Sequence, residues 1–138
     1  MQHPLNNLSD QAHALRQNKR AQIDELRALA GHLPKDDRLL IEQVLDGNMP
    51  IAHLARMYQQ PPRYLQRRAQ SILKRLSNKY FRFTALQLNT LPPEVRTTAK
   101  LVILHGQSMR KTAETSGLSL HKVRNHMNTV RATARLFT

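Results

Sequence analysis

Gly106-Gln107-Ser108-Met109-Arg110-Lys111-Thr112-Ala113-Glu114-Thr115-Ser116-Gly117-Leu118-Ser119-Leu120-His121-Lys122-Val123-Arg124 is the stretch that decides how this chain folds. Ser108 and Ser119 are good N-caps, because each hydroxyl can accept from the free amides of a helix's first turn. Between them, Gly117 can take the positive φ of a tight turn. Ala113 is small where two helices would cross, Leu118 is placed to fill the gap between them, and Val123 faces inward one turn into the second helix. The pattern predicts two short helices joined by a turn, a helix-turn-helix. The second helix of such a unit lies in the major groove with its N-terminal residues toward base edges.

Working outward, the pattern recurs. Leu91-Pro92 opens a helix that carries Val95, Ala99, Val102 and Ile103 and ends near Gly106. Proline suits a helix's first turn, where its missing N–H costs nothing. Leu33-Pro34 stands 58 residues earlier, and the helix it opens carries Leu39, Leu40, Ile41, Val44 and Leu45 and ends near Gly47. A short helix over Ile51 to Tyr58 follows, then a third from about Pro61 to Lys79 with Leu65, Ala69, Ile72, Leu73 and Leu76 on one face. The spacing of 58 holds for Leu33/Leu91, Val44/Val102, Ile51/Met109, Ala55/Ala113, Leu65/Val123 and Ile72/Val130. Gly47 and Gly106 are 59 apart, which requires one extra residue in the first copy between Gly47 and Ala55. Self-similarity at a fixed period points to duplication of one helical unit; the alternative is chance agreement of two apolar patterns.

The expected fold is therefore all-α: an N-terminal amphipathic helix within 1–32, a first helix-turn-helix-like unit at 33–83 and a second at 84–138. Ser9 is the expected cap of the first helix, whose stripe is Ala12, Leu15, Ile23, Leu26, Leu29 and Ala30, with Gly31 as a left-handed C-cap. The polar stretch Arg16 to Gln22 predicts a bend or loose packing there. This helix is nearly neutral, so it should cap the first unit's core or pair with a second copy in a homodimer. Phe81-Arg82-Phe83 reads as a linker or helix end, with 84–90 joining the units, and the last helix bears Val123, Met127 and Val130 with Leu136 near its end.

The chain has 138 residues, the size of one domain or two very small ones, with 22 Lys+Arg against 9 Asp+Glu and a net charge of +13. The excess rises along the chain, from +1 over 1–32 to +5 over 33–80 and +7 over 81–138. Such a surface repels itself unless something anionic lies against it, and nucleic acid is the expected partner. An anionic membrane would prefer a basic helix with a bulky aromatic-apolar face, a character that Arg63 to Arg82 has only in part. No apolar run approaches the length of a membrane span, which takes about 20 residues. Met1 to Asp10 lacks the basic and apolar segments of a secretory signal. With no Cys there is no disulfide, no thiolate zinc site and no cysteine nucleophile, and a reducing cytoplasmic setting is the expectation.

The segment from Leu91-Pro92-Pro93 through Val130 resembles region 4 of bacterial sigma factors and the related output domains of regulators. The likeness runs without a gap across Gly106, Ser108, Ala113, Gly117, Ser119 and Val123, and extends more weakly to Leu33–Leu76. In that family the last helix docks in an upstream promoter element and the domain contacts RNA polymerase. The resemblance implies that Leu120, His121, Lys122, Arg124 and Asn125 face DNA. It also implies RNA polymerase as a second partner and a bacterial or phage source. Thr112 and Ser116 depart from it, standing where the family has bulky aliphatics; in the first copy Gln59 replaces the turn glycine and Pro61-Pro62 the serine cap. Promoter melting in that family needs an aromatic-rich region and a separate domain, and this chain has no Trp, so the resemblance implies a regulator or adaptor rather than a whole initiation factor.

Arginine suits guanine and asparagine suits adenine, which assigns Lys122, Arg124 and Asn125 to base edges, against the plainer alternative of phosphate contacts. Arg110 and Lys111 should reach the flanking backbone. On the equivalent helix of the first unit, Arg63, Tyr64, Gln66, Arg67 and Gln70 form the exposed face, and Arg63, Arg67 and Arg68 should touch phosphates. The histidines at 3, 13, 32, 53, 105, 121 and 126 form no ligand set, since His121 and His126 are five apart rather than four. Carboxylates are too few and scattered for acid–base work, and no glycine-rich phosphate loop exists, so neither catalysis, a metal nor a cofactor is expected. The function expected is sequence-specific binding of double-stranded DNA by a transcriptional regulator. The alternatives are an adaptor with one unit on RNA polymerase and the other on DNA, and a binder of structured RNA.

Overall fold

Local cap and turn chemistry sets where most of the helices begin. The computed structural model describes residues 4–137, with side chains described over 10–137. It has eight α-helices and, among the described residues, no strand. They are α1 (Pro4–Ala30), α2 (Lys35–Asp46), α3 (Ile51–Tyr58), α4 (Pro62–Leu76), α5 (Lys79–Gln87), α6 (Pro93–Ala99), α7 (Met109–Ser116) and α8 (Leu120–Arg135). A 3-10 turn (Leu88–Thr90) precedes α6, and a π-helical turn (Lys100–Leu104) continues it. The starts of α2, α3 and α4 recur 58 residues later as the starts of α6, α7 and α8.

The one-residue difference at the glycines has two compensating halves. Three residues separate Gly47 from α3, but only two separate Gly106 from α7. In exchange, His105 stands between Leu104, the last residue of the π turn, and Gly106, whereas Gly47 follows Asp46 of α2 directly; the π turn accommodates it, with His105 N–H donating to Lys100 O at 2.9 Å. A π bulge is the usual form of a residue inserted into an α-helix.

Two apolar clusters hold the fold. The first joins Leu29 and Ala30 of α1, Leu40 and Ile41 of α2, Leu54 and Ala55 of α3, Leu65, Ala69, Ile72 and Leu76 of α4, and Phe81 of α5. The second joins Phe83, Leu91, Val95, Ala99, Val130 and Ala134. Residues two apart on an α-helix point about 200° apart. Phe81 and Phe83 thus enter different clusters, and α5 is a wedge between them. Burying one such ring contributes roughly 1.5–3 kcal/mol. Ile103 packs against both clusters.

Several expectations are corrected here. Phe81-Arg82-Phe83 is no linker but the centre of a helix, because both rings find a core to enter. The preceding helix stops at Leu76 rather than Lys79, since Asn78 turns out to cap α5 by accepting from Tyr80 N–H at 2.8 Å. Ser9 lies inside α1, which begins at Pro4, and not at its start. Gly31 does not have positive φ, unlike Gly47, Gly106 and Gly117. Turn bonds from His32 N–H to Leu29 O and from Leu33 N–H to Ala30 O close α1 instead. Ala113 is only half-buried, and the neighbouring Thr112 is the residue that is fully enclosed. Leu136 lies beyond the end of α8 and is exposed. His3 lies outside the described residues.

In α1 the apolar stripe is used at one end only. Leu29 and Ala30 are buried and Ile23 and Leu26 half-buried, against α2 and α4, whereas every side chain over 10–22 is exposed. The helix caps the first core through its last two turns and runs on unbroken through Arg16 to Gln22.

Candidate nucleic-acid interface

Ser108 Oγ accepts from Lys111 N–H at 3.0 Å and starts α7. At its other end Gly117 has φ 69°, and Leu118 N–H reaches back to Ala113 O at 3.1 Å, a Schellman closure. Ser119 Oγ then accepts from Lys122 N–H at 3.1 Å and starts α8. The first half builds the same path from different residues. Gln59 takes the left-handed conformation at φ 54°, and Gln60 N–H reaches Ala55 O at 3.0 Å. Pro50 and Pro61 occupy the two cap positions with no side-chain cap bond, the fixed φ of proline replacing the serine hydroxyl as the device that sets the entry angle.

Val123 is fully buried against α7, as Leu65 is against α3, which fixes what α8 and α4 present outward. At the start of α8, His121, Lys122, Arg124 and Asn125 are exposed and Leu120 is half-buried. Asn125 Nδ2 lies 3.3 Å from His121 Nε2, one turn away. Arg110 and Lys111 are exposed at the start of α7. At the start of α4, Arg63, Tyr64, Gln66, Arg67 and Gln70 are exposed.

Arg68 differs from its neighbours and corrects the expectation that it meets phosphate. Its side chain is only 31% exposed, and its guanidinium holds Asp37 of α2 at 2.9 Å. The residue 58 positions on, His126, is buried and shares a 2.7 Å hydrogen bond with Thr98 of α6. The same site thus ties the third helix to the first in both halves.

The electrostatics follow from where the carboxylates are spent. The ion pairs Arg27–Asp46, Arg38–Glu42, Arg68–Asp37, Arg75–Asp37 and Arg82–Glu25 all lie in the first 82 residues. Neither α4 nor α8 contains an acidic residue. Lys122, Arg124, Arg110, Lys111, Arg63 and Arg67 therefore keep their charge without a carboxylate among the described residues. Such a cationic, hydrogen-bonding helix face can meet a polyanion with charge-assisted contacts.

Among the described residues, no group of three His, Cys, Asp or Glu converges to hold a metal ion. No helix there is long and apolar enough to cross a membrane. The wedge α5 and the paired Arg68 were not visible in the sequence, since both depend on contacts between residues far apart in the chain. Comparison with family models, with curated proteins and with solved structures gives no match to this chain.

Proposed function

We propose that this chain is a transcriptional regulator that binds double-stranded DNA sequence-specifically through two tandem helix-turn-helix units, α2–α4 and α6–α8. The observation that carries the reading is the leading turn of α8. It follows a Schellman turn and a serine cap, lies on the surface, and offers Lys122, Arg124 and Asn125 with no acid on the same helix. Base contacts by Arg124 and Asn125 would each give about 1–3 kcal/mol of discrimination. Arg110, Lys111, Arg63 and Arg67 supply phosphate contacts. If six to eight phosphates are neutralised, log K falls against log salt with a slope of about −5 to −7. The resemblance to sigma factor region 4 agrees with this reading and belongs to it as a proposal.

Selection of bound duplexes from a random pool tests it. A recurrent motif is expected; enrichment without a motif, or a preference for RNA hairpins in competition at fixed salt, would overturn the claim of sequence-specific duplex binding. A second reading, the adaptor that holds RNA polymerase or another regulator through a separate surface, draws on one observation. Leu86 and Phe137 line one cleft and are 59% and 51% exposed, well away in sequence from the leading turns of α4 and α8. Replacing Arg63 and Arg67 by Ala, and separately Lys122 and Arg124, distinguishes the two: equal losses of DNA affinity favour two readers, and loss from one pair alone favours the adaptor.

A further inference from the structure

A cleft of about 430 Å3 opens between the C-terminal half of α4, the start of α5, the end of the π turn and the middle of α8. Its floor is apolar: Phe81 and Met127 are buried, and Val102 and Ile103 half-buried. Its rim carries Lys74, Arg75 and Arg131, and no carboxylate is among the described residues that line it. We propose that this cleft binds a small organic anion, one carboxylate or phosphate group on an aliphatic or aromatic body.

Three cations around one concavity repel each other, and the protein relieves this only in part. Arg75 donates from Nη2 to Leu104 O at 2.7 Å and lies 3.6 Å from Asp37 Oδ2, while its Nε is buried with no partner. Arg131 donates to the neutral Asn128 Oδ1 at 3.3 Å and has no ion-pair partner among the described residues. Lys74 has no ion-pair partner among the described residues. An anionic headgroup would give these donors charge-assisted hydrogen bonds. The floor accounts for the body. Clefts of this size, apolar with a few convergent polar groups, are the usual form of small-molecule sites. A DNA phosphodiester would satisfy the cations but leave the half-buried Val102 and Ile103 uncovered. The inference does not depend on the DNA reading, although a molecule held here would touch α4 and α8 together.

Calorimetric titration of the full chain with octanoate, octyl phosphate, octanol and inorganic phosphate tests the proposal. Octanoate and octyl phosphate should each bind at least about tenfold tighter than octanol or inorganic phosphate. Shortening octanoate by one methylene should weaken binding about fourfold. The pair Lys74→Ala and Arg131→Ala, chosen to spare the bonds of Arg75, should lower octanoate affinity by about tenfold or more with the melting temperature kept. If that pair unfolds the chain, Lys74→Gln alone should still weaken octanoate binding several-fold. The proposal fails if octanoate binds no tighter than octanol, if no probe binds, or if affinity survives these substitutions. It also fails if Lys74 and Arg131 matter to duplex affinity alone.

Discussion

Helices α2–α4 and α6–α8 begin at positions 58 residues apart, yet the residues they bury differ in chemistry. Where the first half buries Leu40 and Leu54, the second buries Thr98 and Thr112, and where the first pairs Arg68 with Asp37, the second pairs His126 with Thr98. The shared framework is narrower: the apolar pairs Leu65/Val123 and Ile72/Val130, the left-handed turn at Gln59 or Gly117, and an arginine that caps the first helix of each half. Arg27 of α1 donates to Leu45 O at 3.4 Å, and Arg75 of α4 donates to Leu104 O at 2.7 Å. A cation at a helix C-terminus meets carbonyls that have no partner within the helix. In each half, an arginine from a helix outside it reaches the end of the first helix, from α1 in the first and from α4 in the second. Thr98, His126 and Thr112 can sit in the second interior because each is hydrogen-bonded, which offsets the cost of burying them.

The largest expected contrast is in the core. Leu54→Ala should lose about 2–5 kcal/mol in urea unfolding, as a fully buried leucine does. Thr112→Ala should lose about 1 kcal/mol, since its hydroxyl bonds only to Ser108 O and Gln107, and Ser108 O keeps the Thr112 N–H. Equal losses would show that the two interiors are not different in kind. Next come the glycines. Both Gly47→Ala and Gly106→Ala incur a left-handed strain of about 1–2 kcal/mol. A Cβ at Gly106 would also stand 2.7 Å from Arg75 Cζ, whereas nothing lies within 4 Å at Gly47. Gly106→Ala should therefore melt lower than Gly47→Ala, and Arg75→Ala should remove most of that gap. Thr98→Val strands the ring nitrogen of buried His126 and should cost about 1–3 kcal/mol. The smallest effect has the opposite sign. Thr84 is fully buried on α5 with an unpartnered hydroxyl, so Thr84→Val should be neutral or stabilising by up to about 1 kcal/mol.

What could be read from the residues alone was what depends on neighbours in sequence. Ile51–Tyr58, the caps at Ser108 and Ser119, and the turns at Gly47 and Gly117 follow from local propensity, and the structure has them. Gln59 keeps the turn without a glycine, because the helices on either side dictate the conformation. The wedge α5 was hidden by its own geometry: two phenylalanines two residues apart look like strand alternation, and only the presence of two cores shows that both faces of a helix are in use. Arg68 looked like its neighbours Arg63 and Arg67, and what separates them is Asp37, thirty-one residues away in sequence. The exposed leading turn of α8 was legible in the apolar spacing that buries Val123, while the acid-free cleft at Lys74 and Arg131 required the fold.

The central claim concerns that leading turn, and the salt dependence of duplex affinity tests it most directly. With a duplex bound by the parent chain, Lys122→Ala should weaken binding and make the log–log salt slope shallower by about one, and Arg124→Ala should weaken binding and relax the base preference at one position. An unchanged affinity and an unchanged slope in a folded variant would contradict the account, because the start of α8 would then lie away from the DNA.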